Sequence, residues 1–222
     1  MQHCRERGKW FGFSAVIGYD RTHGMVGQEQ LLVAMMDDPN WVADMFMTVA
    51  ELTIAAAQEM TGAGIEFDGV FICDDMGYRN APLFSPKIYK EICFPAHKKM
   101  MDFFHSKGLK VIMHSCGNVK VLIPHLIEAG LDCLQPLEVK AGMDLIELKK
   151  AYGDRLAFMG GIDARAMSDP DPSVIEREIE TKITVAKKGG GYIYHSDHSV
   201  PSDVSFEQYK RVIELVRKYG KH

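Results

Sequence analysis

Apolar residues along the chain gather in short continuous runs set between longer, helically spaced stretches. Six runs are only a few residues long and nearly all apolar: 11–17, 69–73, 110–114, 133–136, 156–159 and 192–194. Runs of this kind predict strands buried on both faces of a parallel sheet, since a strand with one wet face would alternate. Between them the helix ends are readable. Asp38-Pro39 supplies an N-cap and a first-turn proline for a helix reaching about Gly62, with Val42, Met45, Phe46, Val49 and Leu52 as its apolar stripe. Ser85-Pro86 opens the next helix and Gly108 ends it. Pro95 lies inside that helix and lacks an N–H, which predicts a kink or a split. A short helix follows Gly117-Asn118 and stops at Gly130, and Asp144 and Gly153 bound another. Asp171-Pro172 caps a helix running to Gly189, and Ser205 with Gln208 makes a capping box for the last one.

Strand, helix, strand, repeated, means parallel strands joined by right-handed crossovers: an α/β fold, read as one domain over residues 1–222. An open doubly wound sheet and a closed barrel compete. No Gly-x-Gly-x-x-Gly or P-loop pattern follows a strand, so a nucleotide-binding sheet has no support. The chemically able residues fall just after the strands instead: Asp74-Asp75, His114-Ser115-Cys116, Glu138, Asp163 and His195 to His198. A (β/α)8 TIM barrel keeps its site there. Six strands fall short of eight, so the expectation is an incomplete barrel.

Composition narrows the function. Hydrophobic residues make up 46% and charged residues 25% of the chain, an ordinary globular balance. The net charge of -4 gives no basic field for nucleic acid or anionic lipid. No apolar run approaches the roughly 20 residues that span a bilayer. Arg5, Arg7 and Lys9 before the apolar stretch 10–17 faintly imitate a signal peptide, but Gly12 and Ser14 interrupt it and no cleavage site follows. The five cysteines are odd in number and widely spaced, which favours reduced thiols and a cytoplasmic setting. The 14 methionines read as adaptable core filler.

Four constellations carry candidate chemistry. In His114-Ser115-Cys116 the i and i+2 side chains of an extended segment point the same way, as two zinc ligands should; the alternative is a satisfied polar pair at a barrel rim. The loop from Tyr194 to Pro201 holds His195, Asp197 and His198, which could supply a third ligand and an orienting group, or simply form a polar loop. Asp74 and Asp75 point to opposite sides of a strand end, so one faces the mouth as a substrate-binding group or an acid or base; either could equally cap a loop. After paired glycines, Asp163 is a candidate to bind polar groups of a substrate, the alternative being a pair with Arg165. Glu138 is a candidate acid or fourth ligand.

These segments, in this order, resemble the uroporphyrinogen decarboxylase superfamily, which includes zinc enzymes that move a methyl group from a corrinoid to a thiol such as coenzyme M. The resemblance runs from Gly12-Phe13 and Asp37-Asp38-Pro39, through Asp74-Asp75-Met76-Gly77 and Phe84-Ser85-Pro86, to the helix at 205–219. Gly161-Ile162-Asp163 is similar to the family's Gly-Asn-x-Asp turn. It implies that the first two barrel strands are lacking here, together with the basic residues that hold a tetrapyrrole. The methyltransferase branch has His-x-Cys after one strand, matched by His114 and Cys116, and a Cys after the last, a position that falls on His198. A Gly-His-Gly turn occupies that place in the decarboxylases. The resemblance thus implies a zinc methyltransferase using His114, Cys116 and His198 as ligands, with Asp75, Glu138 and Asp163 as catalytic groups and Asp74, Arg165 and His195 binding substrate. A corrinoid protein would dock over the mouth. Metal-free decarboxylation, with Asp75 or Asp163 stabilising a protonated pyrrole, is the alternative. A non-enzymatic barrel completed by a partner or by a homo-oligomer covering its open edges is the third reading.

Overall fold

The computed structural model describes residues 2–221. A short helix α1 (Gln2–Glu6) leads to β1 (Gly12–Val16), then α2 (Gly18–Val26), α3 (Gln28–Asp37), α4 (Pro39–Gly62) and β2 (Gly69–Cys73). Next come α5 (Pro86–Ile88), a π-helical turn (Tyr89–Cys93), α6 (Phe94–Ser106), β3 (Lys110–His114), α7 (Ile123–Ala129) and β4 (Cys133–Gln135). The chain ends through α8 (Leu145–Tyr152), β5 (Ala157–Met159), α9 (Ala164–Ser168), α10 (Pro172–Ala186), β6 (Tyr192–Ile193) and α11 (Phe206–Gly220).

All six strands fall on the expected runs and pair in parallel, in chain order β1 to β6. The fold is therefore α/β, but the closed barrel is not formed: β1 and β6 are the two edges of the sheet, and among the described residues no strand joins them. The caps act as expected. Asp38 accepts from the Trp41 N–H, Asp144 from Glu147, and Ser205 and Gln208 cap reciprocally. Pro95 does not end its helix: the backbone stays helical from Pro86 to Ser106, and the π-helical turn Tyr89–Cys93 just before the proline accommodates its missing N–H. Four helices escape the sequence pattern: the short α1, α2, α3 and the short α9. Neither α2 nor α3 begins with a side chain that caps it.

The two faces of the sheet differ. Phe13, Val70, Ile72, Val111, Met113, Leu134 and Phe158 point at the helices and are buried. The registered rows Ser14–Phe71–Ile112 and Val16–Cys73–His114 occupy the other face, where none of the six is buried. The reading of strands buried on both faces thus holds for β4, where Cys133 and Gln135 on this face are buried, but not for β1, β2 and β3. Leu52 is a second correction. It is 65% exposed on α4, beside the β1 edge, because no further layer covers that flank.

Candidate metal centre

The more open face of the sheet carries the chemistry. Cys73, His114 and Gln135 end β2, β3 and β4 in register, so their side chains share one face. His114 Nδ1 bonds Gln135 Oε1, which leaves Nε2 directed elsewhere. Nε2 lies 3.2 Å from Cys116 Sγ and 3.3 Å from Asp75 Oδ1. The donor atoms of Asp75, His114 and Cys116 all lie within 4.8 Å of one another. Ligands of a tetrahedral ion, bound at about 2.0–2.3 Å, stand roughly 3.3–3.7 Å apart. The two distances from His114 Nε2 match that spacing and the third pair lies within 4.8 Å, so nitrogen, sulfur and oxygen form a set that can hold a zinc-type ion.

Electrostatics agree. Hydrogen bonding to Asp75, then to Cys116, raises the His114 pKa to about 11 even against burial. Burial pushes the Asp75 carboxyl up, but bonds from His114 and from the Cys116 N–H (2.8 Å) outweigh it and hold the group below its ordinary range. Nε2 thus faces one carboxylate oxygen and one sulfur, a donor set suited to a bound cation.

The loops are locked together by backbone contact. A Cβ on Gly77 would stand 2.3 Å from the Cys116 carbonyl oxygen, so the loop after β2 lies directly on the loop after β3. The Asn118 N–H donates to the Tyr78 carbonyl at 2.7 Å across the same seam. Glu138 fastens the third loop, accepting from the Gly117 N–H at 2.8 Å while Lys140 lies 3.3 Å from its other oxygen. Leu137 before it takes φ 62, a left-handed conformation disfavoured by about 1–2 kcal/mol, with its side chain buried.

A cavity of about 690 Å³ opens beside the centre, lined by His114, Cys116, His195 and His198, with Tyr194 and Tyr209 among its walls. His195 Nδ1 meets the Ser196 carbonyl. His198 lines the cavity but does not join the close donor set; among the described residues Asp75 is the third member, because the β2 and β3 ends are adjacent strands. Asp197 braces the rim: its two oxygens accept from the Ala164 N–H (2.8 Å) and the Val139 N–H (2.9 Å).

Other candidates fall elsewhere. Asp74 is fully buried, bonded to His97 (2.9 Å) and to the Asp20 N–H (2.9 Å), so it faces the core and not a substrate. Asp163 caps α9 and pairs with Arg165 at 2.7 Å. The two line a separate cleft with Glu178 and Lys182, away from His114 and Cys116, so neither the catalytic role expected of Asp163 nor the binding role of Arg165 is supported at this centre. Gln135 and Tyr209 were not legible as site residues: one reads as the polar end of an apolar run, the other as an ordinary aromatic on an amphipathic helix.

The family described as Uroporphyrinogen decarboxylase (URO-D) matches residues 22–219. A uroporphyrinogen decarboxylase of Vesicomyosocius okutanii is 22% identical over 189 residues, covering 84% of this chain and 52% of that protein. The methylcobamide:CoM methyltransferase MtaA of Methanosarcina barkeri is 29% identical over 140 residues, covering 63% of this chain and 38% of that protein. The chain thus spans about half the length of the curated relatives it matches, or less. Among solved structures, a methyltransferase from Methanosarcina mazei shares the fold, with a TM-score of 0.68 at 18% identity, covering 95% of this chain and 59% of that one.

Proposed function

The chain belongs to the uroporphyrinogen decarboxylase family, and from that premise we propose that it transfers a methyl group from a corrinoid, carried by a partner protein, to a small organic thiol at a zinc centre. The observation that carries this reading is the convergence of Asp75, His114 and Cys116. The M. barkeri relative, named for a methylcobamide and CoM, supports it. Zinc, when bound, would lower the pKa of a substrate thiol and so supply a nucleophilic sulfur at neutral pH.

The protein's own residues do the rest. His114, Cys116 and Asp75 would hold the ion. Gln135 fixes the His114 ring by occupying Nδ1, so that Nε2 is the ligand atom. Gly77, Gly117 and Glu138 keep the three loops in register. His195 donates an Nδ1–H hydrogen bond to the Ser196 carbonyl, which leaves Nε2 as an acceptor for the proton the thiol loses. Tyr194, Tyr209 and Val200 wall the cavity that would receive the acceptor. The corrinoid protein docks at the open mouth above the strand ends.

The V. okutanii relative's name favours a second reading, metal-free decarboxylation of a tetrapyrrole. Metal analysis separates the two. Purified protein should hold about one zinc per chain, lost in a His114→Ala/Cys116→Ser variant whose circular dichroism is unchanged. A folded wild type that takes up no zinc, and binds a porphyrin instead, would establish the second reading.

A further inference from the structure

Behind the metal centre a row of buried polar side chains reaches the loop that carries Asp75, and the chemistry above does not use it. Asp74, His97 and Tyr89 are each exposed by 1% or less. The Tyr89 hydroxyl lies 3.0 Å from His97 Nδ1, and His97 Nε2 lies 2.9 Å from Asp74 Oδ2. A carboxylate only accepts, so Nε2 donates to Asp74 and Nδ1 is left to accept from the tyrosine hydroxyl. The other Asp74 oxygen accepts from the Asp20 N–H at 2.9 Å. The backbone comes close as well: a Cβ on Gly18, which takes φ 49, would stand 2.3 Å from Asp74 Oδ2.

The helix brings two of these groups together. Tyr89 opens the π-helical turn, and His97 lies eight residues on, in α6. Residues eight apart in an uninterrupted α-helix stand about 80° apart around its axis, and the extra residue of a π turn returns them to within about 20°. Asp74 then passes this anchoring to the site. Its N–H donates to the His114 carbonyl at 2.9 Å, and the residue after it is Asp75, whose Oδ1 lies 3.3 Å from His114 Nε2. Removing the His97 donor leaves a buried carboxylate short of a partner, and the loop must move to let water reach it, taking Asp75 along.

We infer that His97, braced by Tyr89, is a positioning residue for the metal centre: through Asp74 it fixes the Asp75 carboxylate in its place beside His114 and Cys116. This rests on the metal reading above and deepens it.

Cobalt(II) is the probe, because its visible ligand-field bands are strong in a tetrahedral site and weaken when a ligand is lost. Wild type, His97→Leu, His97→Gln and Tyr89→Phe are each loaded with cobalt, and zinc affinity is measured by competition with a chromophoric chelator. His97→Leu is expected to bind zinc about tenfold more weakly or worse, with weakened bands. His97→Gln, whose amide N–H can still donate to Asp74, should recover most of that loss. In an Asp75→Ala background His97→Leu should add no further loss, because the group it acts through is gone. A His97→Leu protein that melts earlier yet keeps wild-type bands and affinity assigns His97 to the core alone, which overturns the inference and leaves the metal centre standing. Should His97→Leu not fold, Tyr89→Phe, which removes one hydroxyl, carries the test: zinc binding about threefold weaker supports the inference, and unchanged binding overturns it. Wild type that takes up neither cobalt nor zinc overturns the metal reading, and this inference with it.

Discussion

Asp74 and Asp75 are neighbours in sequence with opposite environments. Burial drives the Asp74 carboxyl up despite its bond to His97, whereas Asp75 is held down by His114 and the Cys116 N–H against a smaller burial effect. Two successive residues at a strand end point to opposite sides, so one enters the core and the other the site. A third carboxylate shows what such bonds contribute to stability. Asp132 accepts from Lys110 (2.8 Å), from the Val111 N–H (2.9 Å) and from His105 (2.7 Å). Burial opposes these bonds, yet they win and its pKa is lowered. The folded value lies below the unfolded one of about 3.9, so the stabilisation is complete above that pH and is lost as pH falls through the folded value. Asp132→Asn should cost about 1–3 kcal/mol at pH 7, and the deficit should shrink below about pH 4. Urea titrations of both proteins across pH 3–7 would measure it, and a deficit independent of pH would contradict the assignment.

At the scale of elements, the site depends on how closely two loops approach. Gly77 and Gly117 lie backbone against backbone: a Cβ on Gly117 would stand 2.4 Å from the Gly77 carbonyl carbon, and Gly117 itself takes φ 75. Gly77→Ala is therefore expected to separate the ends of β2 and β3 and to move Asp75 from His114. The cost should be about 1–3 kcal/mol, as for other overpacked sites, with zinc affinity falling by tenfold or more. Thermal melts and competition with a chromophoric chelator report the two effects separately. Wild-type zinc affinity in this variant would show that the seam does not position the ligands. The caps at Asp38, Asp144, Asp171 and Ser205 were legible because each is a local event: a side chain bonding a backbone N–H two or three residues on. The helices α2 and α3 lack such a signal, and packing decides them.

For the whole molecule, the unpaired edges and the partly open sheet face matter most. Val16 and Ile193, on the two edge strands, are each 46% exposed. Exposed strand edges with apolar side chains favour pairing with another chain. The 24.9 kDa chain should accordingly sediment as a concentration-dependent dimer or larger species, and a monomer at every concentration would contradict this. No described helix is long and apolar enough to cross a membrane. The sequence by itself determined the six strands, most of the helix boundaries, the parallel α/β order and the pairing of His114 with Cys116. Each of these depends on spacing of a few residues, through cap chemistry, apolar run length or the two-residue alternation of an extended chain. Tertiary structure alone decided that Asp75, and not His198, stands closest to them, that Gln135 orients the imidazole, and that Asp163 belongs with Arg165 outside the cavity. Those outcomes depend on which strand ends become neighbours and how near their loops can come, and that is fixed only when the sheet registers and glycine lets two backbones touch.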